Sequence, residues 1–237
     1  MKLLALDTAT EACSVALWID GALLERFELA GRDHTQRLPA MLHALMAEAG
    51  LGYSQLDGLV CGLGPGSFAG VRIGVAYLQG LALAHDQPAL GVSSLAMLAQ
   101  GAIRAHDAER VLAAIDARMD EVYYAAYLRD VAGLAAPQGE ARVCRPELVP
   151  EDSGPWHAVG TGWGRYESVL RATSGSELLM VDGEALPRAG DALRLALPGF
   201  QSGAAGDAGL LAPIYLRNRI ALTLLEQAAL RAKSLSL

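Results

Sequence analysis

Apolar residues fill positions 3–6, stop at the hydroxyl-rich, acidic turn Asp7-Thr8-Ala9-Thr10-Glu11, and resume with a strand-like pattern over 13–18. This predicts a hairpin. Asp20-Gly21, a dipeptide suited to the positive φ angles of a two-residue turn, then leads into a third strand over 22–29. The period changes next: Leu38, Met41, Leu42, Leu45 and Met46 recur at helical spacing over 36–49, with Pro39 near the start and Gly50 as a stop. A strand over 56–61, a glycine-rich loop, a helix over 69–85, a strand over 89–92 and a helix opened by Ser93 or Ser94 and reaching residue 106 complete the first half.

The second half repeats the plan. A run over 111–115 ends at Asp116 and turns through Ala117-Arg118-Met119-Asp120-Glu121 into 122–128, as 3–6 ends at Asp7 and turns into 13–18. A third strand is expected near 140–149. Residues 157–159, the Gly160-Thr161-Gly162-Trp163-Gly164 loop and a helical 166–172 echo the first glycine loop and its flanks, and a strand over 178–181 and a helical piece over 190–197 follow. The fold class is therefore α/β: two related lobes, each a mixed sheet with an antiparallel meander and helices on its faces. The expected division is 1–106, 107–212 and a C-terminal segment 213–237 in which 220–233 forms a helix that folds back on the first lobe or frays.

The loop GLGPGSFAGVRIG, residues 62–74, is the candidate chemical element. Gly62, Gly64 and Gly66 release the backbone, Pro65 stiffens it, and the first helical turn beyond it offers unpaired N–H groups to an anion. Alternatively, the glycines only let the helix pack closely on the sheet. A Walker A loop requires a lysine, and the chain's two lysines, Lys2 and Lys233, lie near its ends. Gly64 to Ala69 matches a dinucleotide fingerprint, but Asp86 stands before the next strand, where the fingerprint's acid should end that strand. Pro65 and Ala69 break the Gly-x-Ser-x-Gly pattern around Ser67, which reads as a helix-capping hydroxyl.

Composition narrows the classes. With 52% hydrophobic and 19% charged residues the chain has material for a full core, and no apolar run reaches the ~20 residues of a membrane span. The N-terminus lacks a signal peptide's apolar region, so a soluble cytoplasmic protein is expected. A net charge of −7 opposes autonomous nucleic-acid binding. No two of His34, His43, His85, His106 and His157 share the i, i+4 spacing of helical metal ligands, and Cys13, Cys61 and Cys144 form no Cys-x-x-Cys pair, so no metal site is expected.

LLALDTATEACSVAL, HTQRL, GLGPGSFAGVRIG, IDARMDEVYYAAY, VGTGWGRY and PIYLRN, in that order, resemble the bacterial TsaB family, also called YeaZ, over nearly the whole chain to about Arg217. The resemblance implies the actin-like ATPase fold and a non-catalytic subunit in the synthesis of threonylcarbamoyladenosine (t6A) beside the anticodon of tRNA. It implies binding to the related TsaD, which holds the metal and the threonylcarbamoyl-adenylate, with the ATPase TsaE joining the pair, a homodimer when alone, and tRNA reached only through the complex. Ala69 stands where the family's loop has threonine, and Thr35-Gln36 where Ser-Glu is usual.

Within that resemblance Asp7, Thr8, Thr10, Gly64, Gly66 and Ser67 are the candidates for nucleotide or anion binding: they either retain weak ATP or ADP binding or merely satisfy turn amides, and no cofactor is required. Val71, Val75, Leu78 and Ala82 form one apolar stripe of the 69–85 helix, and Ile73, Ala76, Leu81 and Ala84 another. One side must face the sheet and the other a partner. The expected partner face is Leu38, Met41, Leu42 and Leu45 with Val71, Val75, Leu78 and Ala82, flanked by Arg72 and Gln79 as polar anchors. Arg118 and Glu121 are expected to pair with each other or between lobes. Two other classes remain open, an independent actin-like ATPase or small-molecule kinase and, third, a peptidase using Ser67 or Cys61.

Overall fold

In the computed structural model, which describes residues 1–217, Asp20 (φ 49°) and Gly21 (φ 103°) make the tight turn between β2 (Ala12–Ile19) and β3 (Ala22–Leu29). β1 (Lys2–Asp7) lies antiparallel to β2 and parallel to β4 (Gly58–Gly62), which is parallel to β5 (Ala89–Val92). The first sheet thus has the order β3-β2-β1-β4-β5. The three first-half helices are α1 (His34–Ala49), stopped by left-handed Gly50, α2 (Phe68–His85) and α3 (Ser94–His106).

The second sheet repeats the order. β6 (Arg110–Arg118) is antiparallel to β7 (Glu121–Arg129) and parallel to β10 (Pro155–Val159), with β11 (Glu177–Asp182) beyond. The third strand expected near 140–149 is instead two short ones, β8 (Ala135–Pro137) and β9 (Arg142–Cys144), both on β7, followed by a 3-10 turn at Pro146–Leu148. Pro137 and Gly139 (φ 83°) interrupt the ladder between them. The second glycine loop lies inside α4 (Thr161–Ser174), which kinks at Tyr166, and the last described helix is α5 (Ala189–Gln201). Both sheets are mixed and carry helices on their faces, the α/β plan expected from the chain's repeated halves.

Packing exchanges two helices between the halves. α1 and α2 cover the outer face of the first sheet, but its other face is covered by α5, through Ala189, Ala192, Leu193 and Ala196 against Leu3, Ala5, Ala16 and Val60. α3 covers the second sheet through Leu95, Leu98, Ala102 and Ile103, and α4 its opposite face. A boundary at 106/107 therefore cuts α3 from the sheet it packs on, and one at 212 assigns α5 to the wrong sheet. Arg104 on α3 holds the buried Asp191 on α5 through two bonds of 2.8 and 3.0 Å, tying the exchanged helices together. The helix expected over 220–233 lies outside the described residues. No helix among the described residues is long and apolar enough to cross a membrane.

Candidate functional site

β1 delivers Asp7 to the β1–β2 turn, directly beneath the N-terminus of α2. Asp7 has no solvent exposure; its Oδ1 accepts from Ala9 N–H at 3.1 Å, and the Ser94 hydroxyl lies 3.5 Å from Oδ2. Burial pushes its pKa up to about 7, against the lowering effect of those two donors. Thr8 Oγ1 donates to Gly70 O at 2.7 Å, Thr10 Oγ1 accepts from Ala12 N–H, and buried His34 places Nε2 2.9 Å from Thr10 O. These groups satisfy the turn itself.

The glycine loop is pressed onto this turn. Ser67 N–H donates to Ala9 O at 2.6 Å, and Ser67 Oγ caps α2 by accepting from Gly70 N–H. A Cβ on Gly66 would stand 2.1 Å from Ala9 O, and one on Gly70 2.2 Å from Thr8 O. Close approach is what these glycines provide. Of the six candidates for anion binding, Asp7, Thr8 and Gly64 are buried, while Thr10, Gly66 and Ser67 border open space.

That space is a cleft of about 520 Å³ between the two hairpin turns, walled also by residues 213–217. Across from Thr10 and Ser67 stand Asp116, Arg118 and Thr161. Arg118, Met119 and Asp120 all have left-handed backbones (φ 61°, 55° and 57°), which makes the β6–β7 turn tight. Asp116 accepts from Arg118 at 2.9 Å and from Arg165 at 3.1 Å, while Glu121 pairs with Arg217. Of the two outcomes expected for these residues, the mutual Arg118–Glu121 pair is not formed: Arg118 pairs with Asp116 in its own lobe, and Glu121 pairs with Arg217 of the C-terminal segment. Trp163 is fully buried with its indole N–H on Leu112 O at 3.0 Å, a helix-start anchor.

The predicted partner face is corrected. Leu38, Met41, Leu42, Leu45, Val71, Val75, Leu78 and Ala82 are each no more than 5% exposed and form one core between α1, α2 and the first sheet. Arg72 stacks on Phe68 (3.3 Å) and Tyr215 (4.9 Å), and Gln79 is engaged by the carbonyls of Ala208 and Leu211. The second stripe is the outward one: Ala76 and Ala84 are exposed, Ile73 and Leu81 partly so, joined by Phe68, Ala69, Gly80 and Leu83. Arg72 is the one charge between residues 69 and 84, too few for a solvated helix face, which shows that α2 is covered on more than one side but not which stripe faces out.

The peptidase nucleophiles fare poorly. Cys61 is buried, burial pushes its thiol well above its ordinary pKa, and Ser67 Oγ is a cap. Among the described residues no three His, Cys, Asp or Glu side chains converge as metal ligands.

A family model for TsaD, tRNA N6-adenosine threonylcarbamoyltransferase, matches residues 28–143. The tRNA threonylcarbamoyladenosine biosynthesis protein TsaB of Escherichia coli (strain K12) is 46% identical over 226 residues, covering 93% of this chain and 96% of the relative. TsaB of Haemophilus influenzae is 41% identical over 232 residues, covering 93% and 95%. The solved structure of YeaZ from Pseudomonas aeruginosa superposes with a TM-score of 0.85 at 45% identity, covering 91% of this chain and 99% of that one.

Proposed function

The chain belongs to the TsaB family, and from that premise we propose that it acts in t6A biosynthesis as a non-catalytic subunit that binds TsaD. The observation that carries the binding role is the outward face of α2. Ala69, Ala76, Gly80, Leu83 and Ala84 present a small, apolar surface on which another helix can approach closely, with Arg72, Phe68 and Tyr215 at one end. The match of residues 28–143 to the TsaD model supports the pairing, because two chains with related folds can meet through equivalent faces. Alone, two copies use the same face about a two-fold axis, and TsaD replaces one copy. Such a contact buries on the order of 1,200–2,000 Å² in total.

TsaE joins the pair, and tRNA is engaged through the complex, in keeping with this chain's net charge of −7. The work is done in the cytoplasm. The subunit requires no cofactor; ATP or ADP, if held, binds weakly in the cleft between the lobes, where Thr10, Gly66 and Ser67 are reachable while Asp7 and Thr8 are buried.

Reconstitution of tRNA modification from purified TsaD, TsaE, a threonylcarbamoyl-adenylate source and this chain, each omitted in turn, tests the reading. Modified tRNA should be lost when this chain is left out, and the chain alone should neither hydrolyse ATP nor cleave peptides. Full modification without it, or steady ATP turnover by it alone, would sink the proposal.

A further inference from the structure

Beyond α5 the chain makes a 3-10 turn at Ala208–Leu210 and then runs from the first lobe to the second. Ala208 is buried in the core beneath α2, Gln79 Nε2 donates to the carbonyls of Ala208 and Leu211 at 3.1 Å each, and Ile214 N–H donates to Leu63 O at 2.8 Å. Tyr215 then lies beside Phe68, ring centroids 6.4 Å apart, under the Arg72 guanidinium. Arg217 reaches across to the β6–β7 turn. It pairs with the Glu121 carboxylate, lies 3.4 Å from Arg118 O and 3.7 Å from Met119 Sδ, and its side chain is only 19% exposed.

The two ends are held differently. On the first lobe the segment is fixed by a buried side chain, a backbone bond and both carbonyls on Gln79, none of which can release alone. On the second lobe, among the described residues, the polar attachment runs through the Arg217 side chain, and it grips a turn whose three left-handed residues 118–120 are costly to hold in that shape. Residues 213–217 also form a wall of the 520 Å³ cleft.

We propose that residues 208–217 are an interlobe strap, anchored on the first lobe and clasped to the second by Arg217 on Glu121, that sets the separation of the lobes and closes one side of the cleft. Releasing the clasp leaves the strap on the first lobe and the α3–α5 layer intact, so the cleft widens without the lobes parting. Arg72 and Phe68 belong both to the strap contact and to the N-terminal end of α2, so the state of the clasp is felt at the end of the outward helix face. The proposal does not depend on the identity of the partner.

Paired spin labels on the full chain test it, at His43→Cys on α1 and Ser168→Cys on α4, both exposed positions, in a Cys144→Ser background that removes the one cysteine not fully buried. The clasped chain should give one narrow distance. Arg217→Ala and Glu121→Ala should each raise a longer-distance population about tenfold, the scale expected for losing a charge-assisted bond. The exchanged pair Arg217→Glu with Glu121→Arg should restore the narrow distance. Distances unchanged in both single variants, with thermal unfolding showing them folded, would overturn the clasp, as would an exchanged pair as broad as the single variants.

Discussion

Replacing Asp7 by asparagine should remove a defined pH dependence of stability. The carboxyl is fully buried, and burial raises its pKa from 3.8 to about 7, partly offset by Ala9 N–H and the Ser94 hydroxyl. A raised acid keeps its proton in the folded chain where the unfolded chain has lost it. The native state therefore loses stability as pH rises from about 4 through 7, and the effect is complete above that window. The shift corresponds to roughly 4 kcal/mol. Asparagine reproduces the protonated acid: its Oδ1 can accept from Ala9 N–H and its amide can donate to Ser94 Oγ. Urea unfolding of both proteins across this range is the assay. The variant should be the more stable by up to ~4 kcal/mol near pH 8, with the gap closing towards pH 4. Parallel profiles for the two proteins would refute the reasoning, since they would mean that Asp7 titrates alike in both states.

Gly70→Ala should cost about 1–3 kcal/mol by overpacking, because its Cβ would meet the backbone oxygen of Thr8, which cannot swing aside; the exposed Gly80, with open space around it, should accept alanine and gain slightly in stability. Arg104→Met should lower stability by about 3–5 kcal/mol in chemical denaturation, since it leaves the Asp191 carboxylate buried between α3 and α5 with Arg194, 3.9 Å away, as its remaining ion-pair partner among the described residues.

Local chemistry made most of the fold legible. Asp20-Gly21, the glycine stops and the strand–Asp–turn repeat are short-range signals, and the structure realises them in both sheets. The side of α2 that faces out was not legible, because a helix apolar on two stripes has no single periodicity to read. Counting charges on each stripe does not separate them either, since Arg72 falls at their edge; only the burial of Val75 and Leu78 against the sheet decides. Packing across distance was equally hidden. Arg104 and Asp191 are 87 residues apart, and Glu121 and Arg217 are 96 apart, so no window of sequence brings them together. The helix exchange that the Arg104–Asp191 pair accompanies follows from which sheet face each helix covers, a property of the assembled core rather than of any one element. The loop at 62–74 showed its glycines but not their use, because a tight backbone approach and an anion cradle demand the same absence of Cβ.

The central claim, that the outward face of α2 is where TsaD docks, is tested most directly by titrating TsaD with Ala76→Glu, a charge placed in the middle of that face at an exposed position. The variant should keep the wild-type unfolding curve and lose TsaD affinity at least a hundredfold, about 2.7 kcal/mol or more. Wild-type affinity in the folded variant would contradict the claim and move the docking surface elsewhere.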